Sequence, residues 1–272
     1  MTSIRVNAHP STTQPVLDRR LQYGDGLFET IAIRRGRARL LEYHLERLYA
    51  GCARLGIPAP AAALLRTEIA AASAVVAGSL ATAATVKLIV TRGTGPRGYR
   101  PPAAAQPTCI VIGEAATGPA ATTAVTLRLC TTRLGRNPAL AGLKHLCRLE
   151  QVLARAEWDD AAIDEGLMMD DQGRLVCGTQ SNLFLFLDGQ LLTPRVDQCG
   201  VAGVMRRAVL EWARTARLDA REAILWPADL ERASEAFMTN ALAGARPVAG
   251  IDGRGLLRGT IAERFNAWLE AQ

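Results

Sequence analysis

The sequence predicts an α+β protein of two domains, and three observations carry that prediction. Short apolar strands and amphipathic helices are mixed along the chain without a strict strand–helix alternation, which argues against one doubly wound sheet. A small, polar and featureless stretch, Glu114–Thr123, interrupts the pattern and reads as a linker. The 272 residues, 49 % of them apolar, are enough to build a core on either side of it. The expected division is a small α+β domain over 1–114 and a larger domain over 115–272 that carries Lys144.

Residues 27–40 read as a hairpin, Leu27 to Ile33 turning at Arg34-Arg35-Gly36-Arg37 into a short return strand. A helix is predicted over Leu41–Leu55, with Leu41, Leu45, Leu48, Cys52 and Leu55 on one stripe and Gly56 as its stop. An Ala-rich second helix is expected over 58–76, then strands over Ala84–Thr91 and Thr108–Gly113 flanking a Gly/Pro-rich loop at 93–107. Beyond the linker come a strand over Val125–Thr131 and a helix just after Lys144, with Leu146, Leu149, Val152, Leu153 and Ala156 as its core-facing set. Strands follow at 167–169, 175–177 and 183–187. The last turns at Asp188-Gly189, a strong hairpin signal, into 191–193. A helix from about Gly203 to Ala216, strands at 221–225, 235–239 and 247–251, and a closing helix near 260–271 complete the reading.

Composition excludes several function classes. No run of about 18 apolar residues suggests a membrane span. The first residues lack a basic stretch followed by an apolar core, so no signal peptide is expected. The six cysteines are widely spaced, with no C-x-x-C, and read as reduced cytosolic thiols rather than metal ligands. The net charge of +6 is spread out, with no basic stripe interleaved with aromatics, so small anionic ligands fit better than nucleic acid.

Of 32 basic residues only two, Lys87 and Lys144, are lysines. Chemistry that needs a primary amine, such as a Schiff base with a carbonyl, must use one of them, because guanidinium stays protonated. Composition bias towards Arg accounts for much of the shortage, but not for a lysine inside Ala141-Gly142-Leu143-Lys144-His145-Leu146. Lys87 lies in an alternating strand, where solvent or domain-interface exposure is the plain expectation. Gly93-Thr94-Gly95-Pro96-Arg97-Gly98 matches a dinucleotide fingerprint, yet Pro96, Pro101 and Pro102 leave no room for the helix that motif requires. That segment reads instead as a flexible loop carrying Arg97 and Tyr99 over a pocket, or as a plain surface loop. Gly200-Val201-Ala202-Gly203-Val204-Met205-Arg206 enters an amphipathic helix, where first-turn amides could hold an anion or simply start a packed helix. Arg47 sits beside the apolar stripe of its helix, suited to a cleft or to snorkelling, and His44 falls on the stripe as a packed core histidine.

Together the motifs resemble the fold-type IV pyridoxal-phosphate enzymes (class IV aminotransferases, D-amino-acid aminotransferase-like), and among them the 4-amino-4-deoxychorismate lyases. The resemblance spans nearly the whole chain. It runs through Tyr23-Gly24-Asp25-Gly26-Leu27-Phe28-Glu29-Thr30, His44-Leu45-Glu46-Arg47-Leu48 and Thr91 to Tyr99. It continues through Leu134-Gly135-Arg136-Asn137-Pro138, Ala141 to Leu146 with Arg148 to Leu153, and Thr239-Asn240-Ala241-Leu242. It implies pyridoxal 5'-phosphate as cofactor, Lys144 as the catalytic amine joined to it through a Schiff base, and Arg47, Val204, Met205, Thr239 and Asn240 around its phosphate. It also implies Thr30, Arg97 and Tyr99 near the substrate, no metal, a homodimer and a cytoplasmic enzyme making 4-aminobenzoate and pyruvate from aminodeoxychorismate. An aminotransferase, a lyase for a related aminated chorismate derivative and a degenerate non-catalytic paralogue are the alternatives. Two departures bear on them: Cys177 stands where the family has a Glu paired with the pyridine nitrogen, and Cys147 where it has Asn.

Overall fold

The computed structural model describes residues 2–13, 15–77, 83–115, 123–256 and 259–272. The chain divides into two compact units: Met1–Thr117 with Leu143–Cys147, and Gly118–Gly142 with Arg148–Gln272. The chain thus re-enters the first unit for the few residues around Lys144, whereas the sequence division placed that lysine in the larger domain.

The first unit contains β1 (Thr2–Val6), β2 (His9–Pro10), α1 (Arg19–Tyr23), β3 (Gly26–Arg34), β4 (Arg37–Ala38), α2 (Leu41–Leu55), α3 (Ala62–Ala77), β5 (Ala83–Thr91) and β6 (Thr108–Ala115). Its strands form one antiparallel sheet in the order β2-β1-β6-β5-β3-β4. Alternation in β3 and β5 puts Leu27, Glu29 and Ile31 with Val86, Leu88 and Val90 on a buried face, packed under α2 and α3. The other face carries the half-buried Phe28 and Thr30 and the exposed Lys87. Gly113 is required where β6 meets α3, since a Cβ there would lie 2.7 Å from the Ala72 carbonyl oxygen.

α2 has the bounds the sequence predicted, β3 runs one residue further at each end, and the return strand β4 ends at Ala38 rather than at 40. α3 starts four residues later than expected, because Pro58 and Pro60 keep the residues before them extended. Of the expected linker, residues 114 and 115 belong to β6, 116–122 lie outside the described residues, and 123 is an exposed bend.

The second unit contains β7 (Val125–Leu134), α4 (Leu149–Arg155), β8 (Glu165–Asp170), β9 (Leu175–Gly178), β10 (Asn182–Leu187) and β11 (Gln190–Pro194). It continues with α5 (Val204–Thr215), β12 (Ala220–Ala223), α6 (Pro227–Arg232), β13 (Glu235–Asn240), β14 (Gly244–Ile251), β15 (Arg254–Gly255) and α7 (Ile261–Glu270). Eight strands run in the order β12-β11-β10-β13-β14-β7-β8-β9, with β15 on β14. The pairs β11–β12, β14–β7 and β7–β8 are parallel and the rest antiparallel. β8, β10 and β13 are apolar on both faces because both faces are covered. Leu167 and Met169 join one core with Leu183, Leu185 and Met238, while Met168 between them joins another with Trp158, Val176 and Cys177. Phe184 and Phe237 sit opposite each other in the ladder and stack with centroids 5.0 Å apart.

α4 departs from expectation. It begins at Leu149 and spans seven residues, and Leu149, Val152 and Leu153 are 76, 59 and 61 % exposed. Its buried residue is Ala154; of the predicted core-facing set, Leu149, Val152, Leu153 and Ala156 are exposed, and Leu146 is half-buried ahead of the helix. The segment holding Lys144 is extended, not the opening of a helix.

Candidate active site

In the first unit β3 is the organising element. Its C-terminal half pairs with β4, and its first residues pair on the same edge with the Lys144 segment. Phe28 N–H donates to the Lys144 carbonyl (3.0 Å), Leu146 N–H donates to the Gly26 carbonyl (3.0 Å), and Leu27 bridges His145. This fixes the backbone of Lys144, which is half-buried with Nζ 4.2 Å from the Phe28 ring centroid. The Lys87 ammonium lies 5.3 Å from the same ring, and Lys87 stands directly opposite Thr30. Both lysines of the chain therefore flank one phenyl ring.

On the other face of β3, Glu29 is 1 % exposed and receives a bidentate guanidinium from Arg47, through Nε at 2.8 Å and through Nη2. His44 Nδ1 lies 2.6 Å from Glu29 Oε2. Burial alone would raise the Glu29 pKa, but Arg47 and His44 outweigh it and hold the carboxylate ionised. Burial keeps His44 below its ordinary value despite Glu29, so the ring is neutral, and Nδ1 must carry the proton that bonds the carboxylate. His44 Nε2 is then a buried acceptor with no partner. The expectation of His44 as a packed core residue holds, with a carboxylate partner the sequence did not reveal. A charged residue within an otherwise apolar strand, Glu29 among Leu27, Phe28 and Ile31, was the available signal.

Arg97 and Tyr99 lie on the exposed loop between β5 and β6, where Tyr99 is 85 % exposed and meets Tyr23 edge-on at 5.3 Å. No helix opens there; the next element is β6, consistent with rejecting the dinucleotide motif. Arg19 holds the loop backbone, donating to the carbonyls of Gly98 (2.9 Å) and Tyr99 (3.0 Å).

In the second unit the entry to α5 is the feature of interest. Gly203 is the N-cap and no side chain caps the helix, so the Val204 and Met205 amides have neither an intrahelical acceptor nor a side-chain one. Both side chains are buried. Asn182 anchors the preceding loop by donating to the Val201 carbonyl (3.0 Å), and a Cβ on Gly203 would lie 2.0 Å from Asn182 Oδ1. Thr239 stands directly opposite Asn182 in the ladder, so the two side chains share a face. Thr239 Oγ1 is buried with no partner, an orphaned hydroxyl on the side where the α5 loop lies. Asn240 accepts from the Leu242 (3.0 Å) and Ala243 (2.8 Å) amides and shapes the turn that follows. The signal for Asn182 was a side chain disfavoured in strands, lying inside an apolar one.

Cys177 is 6 % exposed beside Gly200, whose hypothetical Cβ would lie 3.9 Å from the sulfur, and burial pushes its thiol up to about 12. It is a neutral thiol at any ordinary pH. Cys147 is exposed, with its sulfur packed over Gly24. A second buried carboxylate shapes the turn before β10. Glu165 accepts from the Thr179 amide (3.1 Å) and the Ser181 hydroxyl (2.8 Å) beside a small cavity lined by Gln180, Ser181, Thr239, Asn240 and Arg246.

The amino-transferase class IV family model matches residues 26–251. The chain belongs to that family. It is 38 % identical over 252 residues to an aminodeoxychorismate lyase of Vibrio harveyi, covering 90 % of each. A crystal structure of 4-amino-4-deoxychorismate lyase from Pseudomonas aeruginosa is 45 % identical and superposes with a TM-score of 0.90, over 99 % of this chain and 98 % of that one. The Escherichia coli branched-chain amino acid aminotransferase shares the fold at 22 % identity, with a TM-score of 0.87 over 99 % of this chain and 93 % of the other. The α+β fold-type IV architecture expected from the motifs is the one observed.

Proposed function

We propose that this chain is a pyridoxal-phosphate-dependent lyase that converts 4-amino-4-deoxychorismate to 4-aminobenzoate, a folate precursor, and pyruvate. The observation that carries the reading is 45 % identity to a lyase of that name across 99 % of the chain. The donor set agrees with the cofactor. An uncapped helix N-terminus with an orphaned threonine hydroxyl suits a phosphate, and a half-buried lysine on a pinned backbone suits an aldehyde.

In this reading Val204, Met205, Thr239 and Asn240 bind the phosphate together with Arg47, whose guanidinium is oriented by Glu29. When bound, pyridoxal phosphate supplies an aldehyde that captures the substrate amine and a conjugated ring that spreads the electrons of a broken C–H bond. Lys144 Nζ removes the proton from the ring carbon bearing the amino group. The adjacent C–O bond then breaks, enolpyruvate leaves and takes up a proton to become pyruvate, and the carbon ring becomes aromatic. Arg97 pairs with a substrate carboxylate, with Thr30 and Tyr99 beside the substrate.

Cys177 faces the pyridine nitrogen in this assignment. A neutral thiol does not favour the protonated ring as a carboxylate would, which weakens the electron sink. Aromatisation supplies driving force to the lyase step that transamination lacks, so Cys177 favours the lyase over the aminotransferase alternative.

The reading includes a homodimer, supported by the outward leucines of α4, and a cytoplasmic location, supported by six free cysteines. Among the described residues no helix is long and apolar enough to cross a membrane.

The test is direct. Protein mixed with pyridoxal phosphate should show visible absorbance that borohydride reduction abolishes and that Lys144→Ala lacks. Added aminodeoxychorismate should give 4-aminobenzoate and pyruvate in equal amounts. No cofactor uptake, or amino-acid transamination as fast as lyase turnover, overturns the reading.

A further inference from the structure

Arg19 is 3 % exposed, and each nitrogen of its guanidinium donates a hydrogen bond. Nε donates to Asp25 Oδ2 (2.8 Å), Nη1 to the Gly98 carbonyl (2.9 Å) and Nη2 to the Tyr99 carbonyl (3.0 Å). The group also stacks over the Tyr23 ring at 4.7 Å, and the Tyr23 hydroxyl accepts from the Gly98 amide (3.0 Å). Asp25 is shared: Arg92 Nε donates to the same oxygen (2.8 Å), while its other nitrogens cap the end of α2 at the Leu55 (2.8 Å) and Gly56 (2.7 Å) carbonyls. Burial would raise the Asp25 pKa, but Arg92 and Arg19 outweigh it, so the carboxylate stays ionised between two guanidinium groups.

The loop is built around this arrangement. Gly93 has φ +83°, and a Cβ there would lie 1.9 Å from the Gln106 carbonyl oxygen. A Cβ on Gly95 would press within 3.2 Å of Arg19 Cδ, and Gly98 adopts φ +107° to turn its amide to Tyr23. Arg97, Tyr99 and Arg100 nevertheless project from it exposed. An exposed cationic edge on a backbone held at two successive carbonyls is preorganised: binding an anion there need not order the loop first. A guanidinium fork that fits two carbonyls at once is not reproduced by an ammonium.

We propose that Arg19 and Asp25 are positioning residues that fix the backbone of Gly98 and Tyr99, so that Arg97 and Tyr99 meet a carboxylate of a cyclic acid substrate already in place. The substrate half rests on the lyase reading; the clamp itself does not. Arg97–Gly98 is the trypsin-sensitive bond of this loop, since Arg100 precedes Pro101. In the cofactor-loaded enzyme, Arg19→Lys should speed cleavage after Arg97 roughly tenfold and raise KM for aminodeoxychorismate roughly tenfold, with kcat and cofactor absorbance within about twofold. Tyr23→Phe, which keeps the ring and loses one bond to Gly98, should shift both in the same direction by less. In an Arg97→Ala background, Arg19→Lys should raise KM by much less than it does alone, because most of its effect passes through that residue.

Unchanged cleavage rates in both variants overturn the clamp. Faster cleavage with unchanged KM, or KM effects that multiply with Arg97→Ala, overturn its role in substrate placement. An unaltered enzyme that makes no 4-aminobenzoate removes the lyase reading and the substrate half with it, while the cleavage rates still decide the clamp.

Discussion

Glu157 shows how much one carboxylate can carry at the residue scale. Burial would raise its pKa, but hydrogen bonds from the Thr131 (2.9 Å) and Thr132 (2.7 Å) amides outweigh that and hold it at about 2. A folded pKa below the unfolded one means that the charged form stabilises the fold. Its contribution is present above the unfolded value of about 4.5 and is lost as pH falls through about 2. Glu157→Gln should therefore lower the melting temperature at pH 7 and flatten the fall of stability between those two values, measured by thermal melts across that range. Gly203 is a residue-scale constraint of another kind. Gly203→Ala puts a methyl 2.0 Å from Asn182 Oδ1, so the loop or Asn182 must move. A loss of about 1–3 kcal/mol is expected in thermal melts, together with weaker binding in a pyridoxal-phosphate titration.

α4 is the element whose sequence and environment disagree most. Its apolar residues recur at helical spacing, which from sequence alone signals a core stripe. In the structure Leu149, Val152 and Leu153 stay exposed, and the helix attaches through Ala154. Periodicity reports that a face is apolar, not which surface covers it. If a second copy covers this one, Leu149→Ser with Leu153→Ser should leave chain stability within roughly 0.5 kcal/mol while light scattering shows dimer mass falling towards monomer. Unchanged dimer mass would assign that face elsewhere. The elements read most closely, α2 and the hairpin ending in β4, have local determinants. α2 has an apolar stripe closed by Gly56 at φ +62°, and the hairpin turns at Arg35 and Gly36, both at positive φ. The short α1 and α6 left no periodic trace, because five or six residues cover less than two turns.

For the whole molecule, cofactor binding couples to folding. A ligand held only by the folded state adds stability as its concentration rises above Kd, about 2.7 kcal/mol at a hundredfold excess. Pyridoxal phosphate should raise the melting temperature by several degrees, and Lys144→Ala, which keeps the phosphate-binding residues, should retain only part of that rise. An equal rise in the variant would remove Lys144 from the attachment role. Lys144 itself was legible, as one of two primary amines in a chain of 32 basic residues. Its surroundings were not: the edge-strand pairing with Gly26 and Phe28 and the ring of Phe28 come from residues more than a hundred positions away.

By itself the sequence determined the strand and helix periods, the scarcity of amines, the glycine entry to α5 and the motif order that marks the family, because each is written in neighbouring residues. Only the tertiary structure decided that Glu29 binds Arg47 and His44, that Arg19 grips the Arg97 loop and that α4 turns its leucines outward. A buried charge takes whichever partner the fold brings within about 3 Å, and an apolar face takes whichever surface excludes water, so neither choice is encoded in local spacing.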